Sequence, residues 1–291
     1  MKLYFLPAVI LLINVFLLSS CKKYTASDAA FFIRANPVSV KTNTLTQGSG
    51  SSKITDLFLY VNGQFQGVYP VGNLMPIITK NQKVTINAFA GIKNNGISST
   101  RISWTFYNYI TLDTLVESGK SVDYPFTFSY APGVIFEWIE DFDSQAHSAF
   151  TIRPSSSTYS DTKSFKIAQP ADCFKGKSIE MDITGDSSRA QLESNIGYPL
   201  PIGSSDVYLE LNYKCTIPFS VGVIADSDPA TLRPAIVVNA QPNWNKIYIQ
   251  LSSAVSQAPT GVNYKIYFAM LKTDPNTYPK MFLDNIKLIH F

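Results

Sequence analysis

The dominant pattern along this chain is a period of two. Leu57, Leu59 and Val61 alternate with Phe58 and Tyr60, Asn62-Gly63 supplies the pair that a type I′ hairpin turn takes, and residues 64–69 return. Successive side chains of a strand point to opposite sides of its sheet, so this alternation predicts strands with one buried face. It resumes at Val84, Ile86, Ala88 and Ala90, and Lys93-Asn94-Asn95-Gly96 then turns the chain toward residues 102–110. No helical period appears in this region. The Ser/Thr/Gly-rich segment 42–52 reads as a loop. Pro132-Gly133, after the strand-like Phe126-Thr127-Phe128, marks a boundary, because proline cannot donate to a ladder. Longer alternating runs follow at 179–183, 207–213, 247–251 and 264–270, and the chain closes on the strand-like stretch 282–289. The expectation is an all-β chain of two β-sandwich domains, over residues 31–131 and 134–291.

The N-terminus breaks the pattern. Lys2 precedes an apolar run, residues 3–18, interrupted only by Pro7 and Asn14 and followed by Ser19 and Ser20. That is a basic n-region and an h-region too short to span a bilayer comfortably. The junction Leu18-Ser19-Ser20-Cys21 resembles the lipobox of bacterial lipoprotein signal peptides. The resemblance implies that residues 1–20 are a signal peptide removed in processing, that Cys21 is acylated, and that residues 21–30 form a polar tether. Each buried CH₂ of such an anchor contributes about 0.8 kcal/mol, so several acyl chains fix a protein to the membrane. Lys22 stands at the second mature position, where an Asp retains many lipoproteins in the inner membrane, so the resemblance implies the outer membrane. An acidic export patch is missing, since Lys22, Lys23 and Tyr24 follow the cysteine and Asp28 is the first acid; periplasmic side and cell surface both stay open.

Composition narrows the function. The 291 residues carry 24 Lys+Arg against 21 Asp+Glu, a net charge of +3, and only 15% are charged. So even a balance gives a nucleic acid no electrostatic footing, and none is expected as a partner. Two His and three Cys are too few for multinuclear metal sites. With Cys21 lipidated, Cys173 and Cys215 remain as an even number in an oxidising compartment. They either form a disulfide, worth about 4 kcal/mol on the chain-entropy estimate, or sit as two buried thiols on neighbouring strands.

In the C-terminal half, Glu137, the run Glu140-Asp141-Phe142-Asp143, the Trp244-Asn245-Lys246 approach to a strand, and Leu283-Asp284-Asn285-Ile286 resemble the carbohydrate-binding, galactose-binding-like type of jelly roll. The whole chain is similar to bacterial two-module envelope lipoproteins, in which an immunoglobulin-like domain precedes such a jelly roll. The resemblance implies a structural Ca²⁺ between the first and last strands, with Asp141, Asp143 and Asp284 as the matching acids, and no other cofactor. The alternative is that these acids are solvated or paired with lysines.

Alternation also predicts a surface. If Leu209, Ile249 and Ile266 face the core, then Tyr208, Glu210, Asn212, Tyr248, Gln250, Lys265 and Tyr267 point outward, forming one curved face if their strands are neighbours. Aromatic planes stack on pyranose rings while amides and carboxylates bond the hydroxyls. The same residues would also suit cross-strand pairing or docking on the first domain. For catalysis the inventory is poor: His147 lies in a polar stretch, His290 is next to last, and neither a metal-binding spacing nor a Gly-x-Ser-x-Gly elbow occurs. The expectation is a lipid-anchored, non-catalytic glycan-binding or adhesion module of the cell envelope. The second reading is a structural or accessory protein that holds an envelope protein; a glycan hydrolase ranks third.

Overall fold

The computed structural model describes residues 30–78, 82–143, 149–152, 165–184, 188–203, 206–258 and 262–291. The segment expected to be a signal peptide, Cys21, the expected tether up to residue 29 and His147 lie outside the described residues.

The first half contributes β1 (Phe31–Lys41), β2 (Asp56–Val61), β3 (Gln64–Pro70), β4 (Leu74–Ile77), β5 (Gln82–Lys93), β6 (Arg101–Ser103), β7 (Ile110–Val116) and β8 (Ser121–Ser129). They form two sheets. One has three strands in the order β4-β1-β8, with β1 and β8 parallel; the other has five, in the order β3-β2-β5-β6 with β7 also on β5. Ile33, Leu57, Leu59, Ile86, Ala88, Phe126 and Phe128 are buried in one core with contributions from both sheets. Burying each such side chain contributes about 1.5–3 kcal/mol. The Asn62-Gly63 hairpin forms as its residue types require, with φ of 49° and 78°.

The second half contributes β9 (Ile135–Glu140), β10 (Phe150–Ile152), β11 (Phe165–Ile167), β12 (Ile179–Asp182), β13 (Arg189–Ser194), β14 (Tyr198–Pro199), β15 (Val207–Cys215), β16 (Phe219–Ala225), β17 (Asp228–Val238), β18 (Gln241–Gln250), β19 (Asn263–Leu271) and β20 (Lys280–His290). Two six-stranded sheets result. Sheet I runs β11-β12-β20-β15-β18 with β9 on β20, and sheet II runs β10-β13-β19-β16-β17 with β14 on β19. The chain passes back and forth between them, the jelly-roll arrangement. Leu209, Leu211, Ile249 and Leu288 from sheet I meet Leu192, Val221, Ile266 and Phe268 from sheet II in a single core. The fold is therefore all-β, and none of its sheets mixes strands from the two halves.

The halves do share a core boundary. Tyr208, Tyr248 and Ile289 of sheet I belong to the hydrophobic cluster of the first half, packed with Trp104, Phe106 and Tyr107. Which face of the jelly roll is free depends on this seam.

Candidate functional site

The outward-pointing residues predicted on β15 and β18 do point away from the jelly-roll core, but they do not form an open surface. Tyr208 is 2% exposed, Glu210 0%, Asn212 3% and Tyr248 2%. The first half covers them. Trp104 stands edge-on to Tyr208 with ring centroids 4.7 Å apart and lies 4.8 Å from Tyr248, while Phe106 stacks on Phe291 at 4.8 Å. Polar groups are consumed by the same contact. The Tyr248 hydroxyl accepts from the Lys53 amide at 2.9 Å, Ser51 Oγ donates to Asn212 Oδ1 at 2.8 Å, and the Gln250 amide donates to Asn95 Oδ1 at 2.9 Å. The ligand face predicted at Tyr208, Glu210, Asn212, Tyr248 and Gln250 is thus corrected to an interdomain seam.

Tyr267 is separated from that group altogether. It lies on β19 in sheet II, on the outer side of the opposite sheet, buried with its hydroxyl 3.4 Å from Ser220 Oγ. Alternation gave the parity of each strand correctly but could not say that β19 and β15 belong to different sheets.

Inside the seam sits a charged network. Tyr130 Oη lies 3.0 Å from both oxygens of Glu210, donating its hydrogen to the carboxylate. Lys287 Nζ donates to Tyr130 Oη at 3.1 Å and to the Ser49 carbonyl at 2.6 Å, and Lys246 Nζ pairs with Glu210 at 3.4 Å. Burial pushes the Lys287 ammonium down to about 8, with Glu210 opposing the shift and Lys246 adding to it. Burial also lowers Lys246, against the pull of Glu210, and raises the Tyr130 phenol well above its ordinary value, a shift that Glu210 reinforces. One carboxylate is shared by two buried ammonium groups, an arrangement that holds only while all partners are present.

The implied calcium acids come together only in part. Asp143 and Asp284 converge on the loop at 175–178: Asp143 Oδ1 accepts from the Lys177 amide at 2.7 Å, and Asp284 Oδ2 accepts from Ser178 Oγ at 2.8 Å. Asp141 turns away and accepts from the Asp143 amide at 3.2 Å. Among the described residues, no group of three or more His, Cys, Asp or Glu is placed to hold a metal ion. Burial pushes Asp284 up to about 6, with hydrogen bonds from Ser178 and the Asn285 and Lys175 amides opposing the shift and nearby Asp143 reinforcing it.

Cys173 and Cys215 are free thiols, which corrects the disulfide alternative. Cys215 points into the jelly-roll core, whereas the turn carrying Cys173 lies over the other side of the sheet, where Asp172 pairs with Lys214 at 2.6 Å. Adjacent positions on a strand face opposite ways, so the two sulfurs are on opposite sides of sheet I. Cys173 Sγ instead lies 3.4 Å from the Gln169 carbonyl, and Cys215 Sγ lies 3.7 Å from that of Asn239.

An open aromatic surface does exist, in the first half. Leu57, Leu59, Ile86 and Ala88 fill the core, so the alternate positions of β2 and β5 face out from the five-stranded sheet. There Phe65, Tyr60, Phe89 and Tyr109 form a row across β3, β2, β5 and the approach to β7. Successive centroids are 5.2, 5.4 and 4.8 Å apart. Phe65 is 55% exposed and Tyr109 53%. The row spans three strand spacings, about 15 Å. Beside it Thr111 Oγ1 donates to Asn87 Oδ1 at 3.0 Å. The signal for this row was the Phe58/Tyr60 alternation opposite Leu57 and Leu59, but Phe89 and Tyr109 join it only through sheet pairing, with Phe58 facing Phe89 in register.

A second opening is apolar. On the outer face of sheet II a groove of about 550 Å³ is walled by Ile217, Pro218, Leu232, Val237, Ala269 and Leu271.

No protein family matches the sequence, and no curated protein matches it. Solved structures do. A mutant family 29 carbohydrate-binding module complexed with mannohexaose covers 54% of this chain and 92% of its own, at 8% identity and TM-score 0.35. The module TmCBM61 in complex with β-1,4-galactotriose covers 51% and 93%, at 12% identity and TM-score 0.33. Likeness this distant transfers neither a residue nor a ligand to this chain.

Proposed function

We propose that this protein is a non-catalytic glycan-binding protein of the cell envelope and that the aromatic row Phe65, Tyr60, Phe89 and Tyr109 is its binding platform. The observation that supports this is a row of aromatic rings at one-strand intervals on the outer face of a sheet, exposed at its ends and half-buried in its middle, where an ordinary sheet surface carries polar side chains. Such rings stack on the apolar faces of successive sugar units, and the neighbouring amides and hydroxyls suit sugar hydroxyls. In this reading the lipid on Cys21 tethers the chain to the outer membrane and the first sandwich presents the row to its ligand.

The test is a polysaccharide array probed with full-length protein in a polyoxyethylene detergent that contains no sugar. Phe65→Ala and Tyr109→Ala are each expected to weaken binding at least tenfold, about 1.4 kcal/mol, while leaving the melting temperature nearly unchanged because both side chains are exposed. Binding that survives both substitutions would remove the row from the function. A second reading, a protein partner, draws on the apolar groove, whose rim residues Val237 and Leu271 are 60% and 51% exposed. A blank array on folded protein would move the function to that groove.

A further inference from the structure

At the seam between the two sandwiches a cleft of about 590 Å³ opens to solvent, within the size range of small-ligand sites. The first half supplies Lys53, Thr55, Lys93, Asn95 and Ser98, and the second half supplies Asn239, Gln241, Asn245 and Lys246. Three lysines line it, and among the described residues not one Asp or Glu does. Of the three, Lys246 is paired with Glu210 of the seam's charge network, which leaves the charges of Lys53 and Lys93 to the cleft. Neither Lys53 nor Lys93 forms an ion pair among the described residues; Lys53 Nζ instead donates to Asn245 Oδ1 across the seam. Burial lowers Lys53, and the positive charge of Lys93 lowers it further, so two like charges meet at this cleft. Lys246 Nζ, fully buried, has Glu210 at 3.4 Å but no hydrogen-bond acceptor.

Like charges held together beside a water-accessible cavity are relieved by a bound anion. The remaining lining says what kind. Asn245, Asn95 Oδ1 and the Thr55 hydroxyl are engaged within the protein, and the side chains of Asn239, Gln241 and Ser98 add donors and acceptors suited to a ligand rich in hydroxyl groups, beside apolar walls such as Ile97 and Ile247. We propose that this interdomain cleft binds an acidic sugar unit, its carboxylate between Lys53 and Lys93 and its hydroxyls on the surrounding amides. The site is separate from the aromatic row, which lies on the outer face of the five-stranded sheet, and the inference stands or falls independently of that row.

The experiment is calorimetric titration of the full-length protein, in an uncharged sugar-free detergent, with oligogalacturonate and with the neutral galacto-oligosaccharide of equal length. Oligogalacturonate is expected to bind, Lys53→Gln and Lys93→Gln each to weaken it at least tenfold, and rising NaCl to weaken it further, whereas Phe65→Ala leaves it unchanged. Lys53 is exposed, and its contact with Tyr248 uses the backbone amide, so its substitution removes from the seam only the side-chain hydrogen bond to Asn245. The proposal is overturned if folded wild-type protein ignores oligogalacturonate, if both lysine variants keep full affinity, or if the neutral oligosaccharide binds as well. It is equally overturned if Phe65→Ala, and not the lysine variants, abolishes binding. Failure here with an intact array signal at Phe65 and Tyr109 leaves the aromatic reading standing, and the reverse result leaves the cleft standing.

Discussion

Glu210 stands in its sequence as one acid in an alternating strand, and in the fold it is the counter-charge for two buried lysines. Its parity was legible; its surroundings were not, because Tyr130, Lys246 and Lys287 come from three other segments. Asp284 shows the same gap with a measurable consequence. Its pKa rises from 3.8 to about 6 on folding, so between those values the folded protein binds more protons than the unfolded chain. The stability this group contributes is therefore full below about pH 4 and is lost as pH rises through 6, by up to about 3 kcal/mol. Asp284→Asn cannot titrate, so its stability relative to wild type is expected to improve by that amount between pH 4 and pH 7, read from urea midpoints at the two values. Parallel pH profiles for the two proteins would show that the carboxyl is not perturbed as described.

At the scale of elements, the period of two correctly marked β2, β5, β15, β18 and β19, because side chains directed at a core recur at every second position whatever the topology. It also located the Asn62-Gly63 hairpin, a local matter of backbone freedom. What it could not provide was the cover on the second face. Tyr208 and Tyr248 look like surface residues of β15 and β18 and are sealed beneath Trp104. Tyr248→Ala is accordingly expected to cost about 3–5 kcal/mol, the range for emptying a large buried aromatic site, and to lower the denaturant midpoint. A Tyr248→Ala protein as stable as wild type would mean the seam opens freely. The reverse holds on the five-stranded sheet, where Tyr60 and Phe89 are only half-buried and lie between the exposed rings of Phe65 and Tyr109.

For the whole molecule, the seam joins two sandwiches through aromatic packing, crossing hydrogen bonds and a shared charge network, and this contact creates the lysine-lined cleft. The proposed attachment is also a property of the whole chain. Cys21→Ala is expected to move the protein from the membrane fraction to the soluble fraction and to abolish incorporation of radiolabelled palmitate. Continued palmitate labelling of that variant would place any lipid elsewhere.

The sequence by itself determined the alternating strands, their core-facing positions and the hairpin turn, because alternation and turn chemistry act over a few neighbouring residues. It also carried the lipobox-like Leu18-Ser19-Ser20-Cys21, a contiguous signal. Only the tertiary structure decided which outer faces remain free. The parity of a strand says which way a side chain points, but not whether another sheet lies there. The placement of β19 apart from β15, the thiols of Cys173 and Cys215 on opposite sides of one sheet, and the meeting of Lys53 with Lys93 all depend on pairings between segments distant in the chain. Those pairings are selected by the packing of entire faces, in which no single residue carries the instruction.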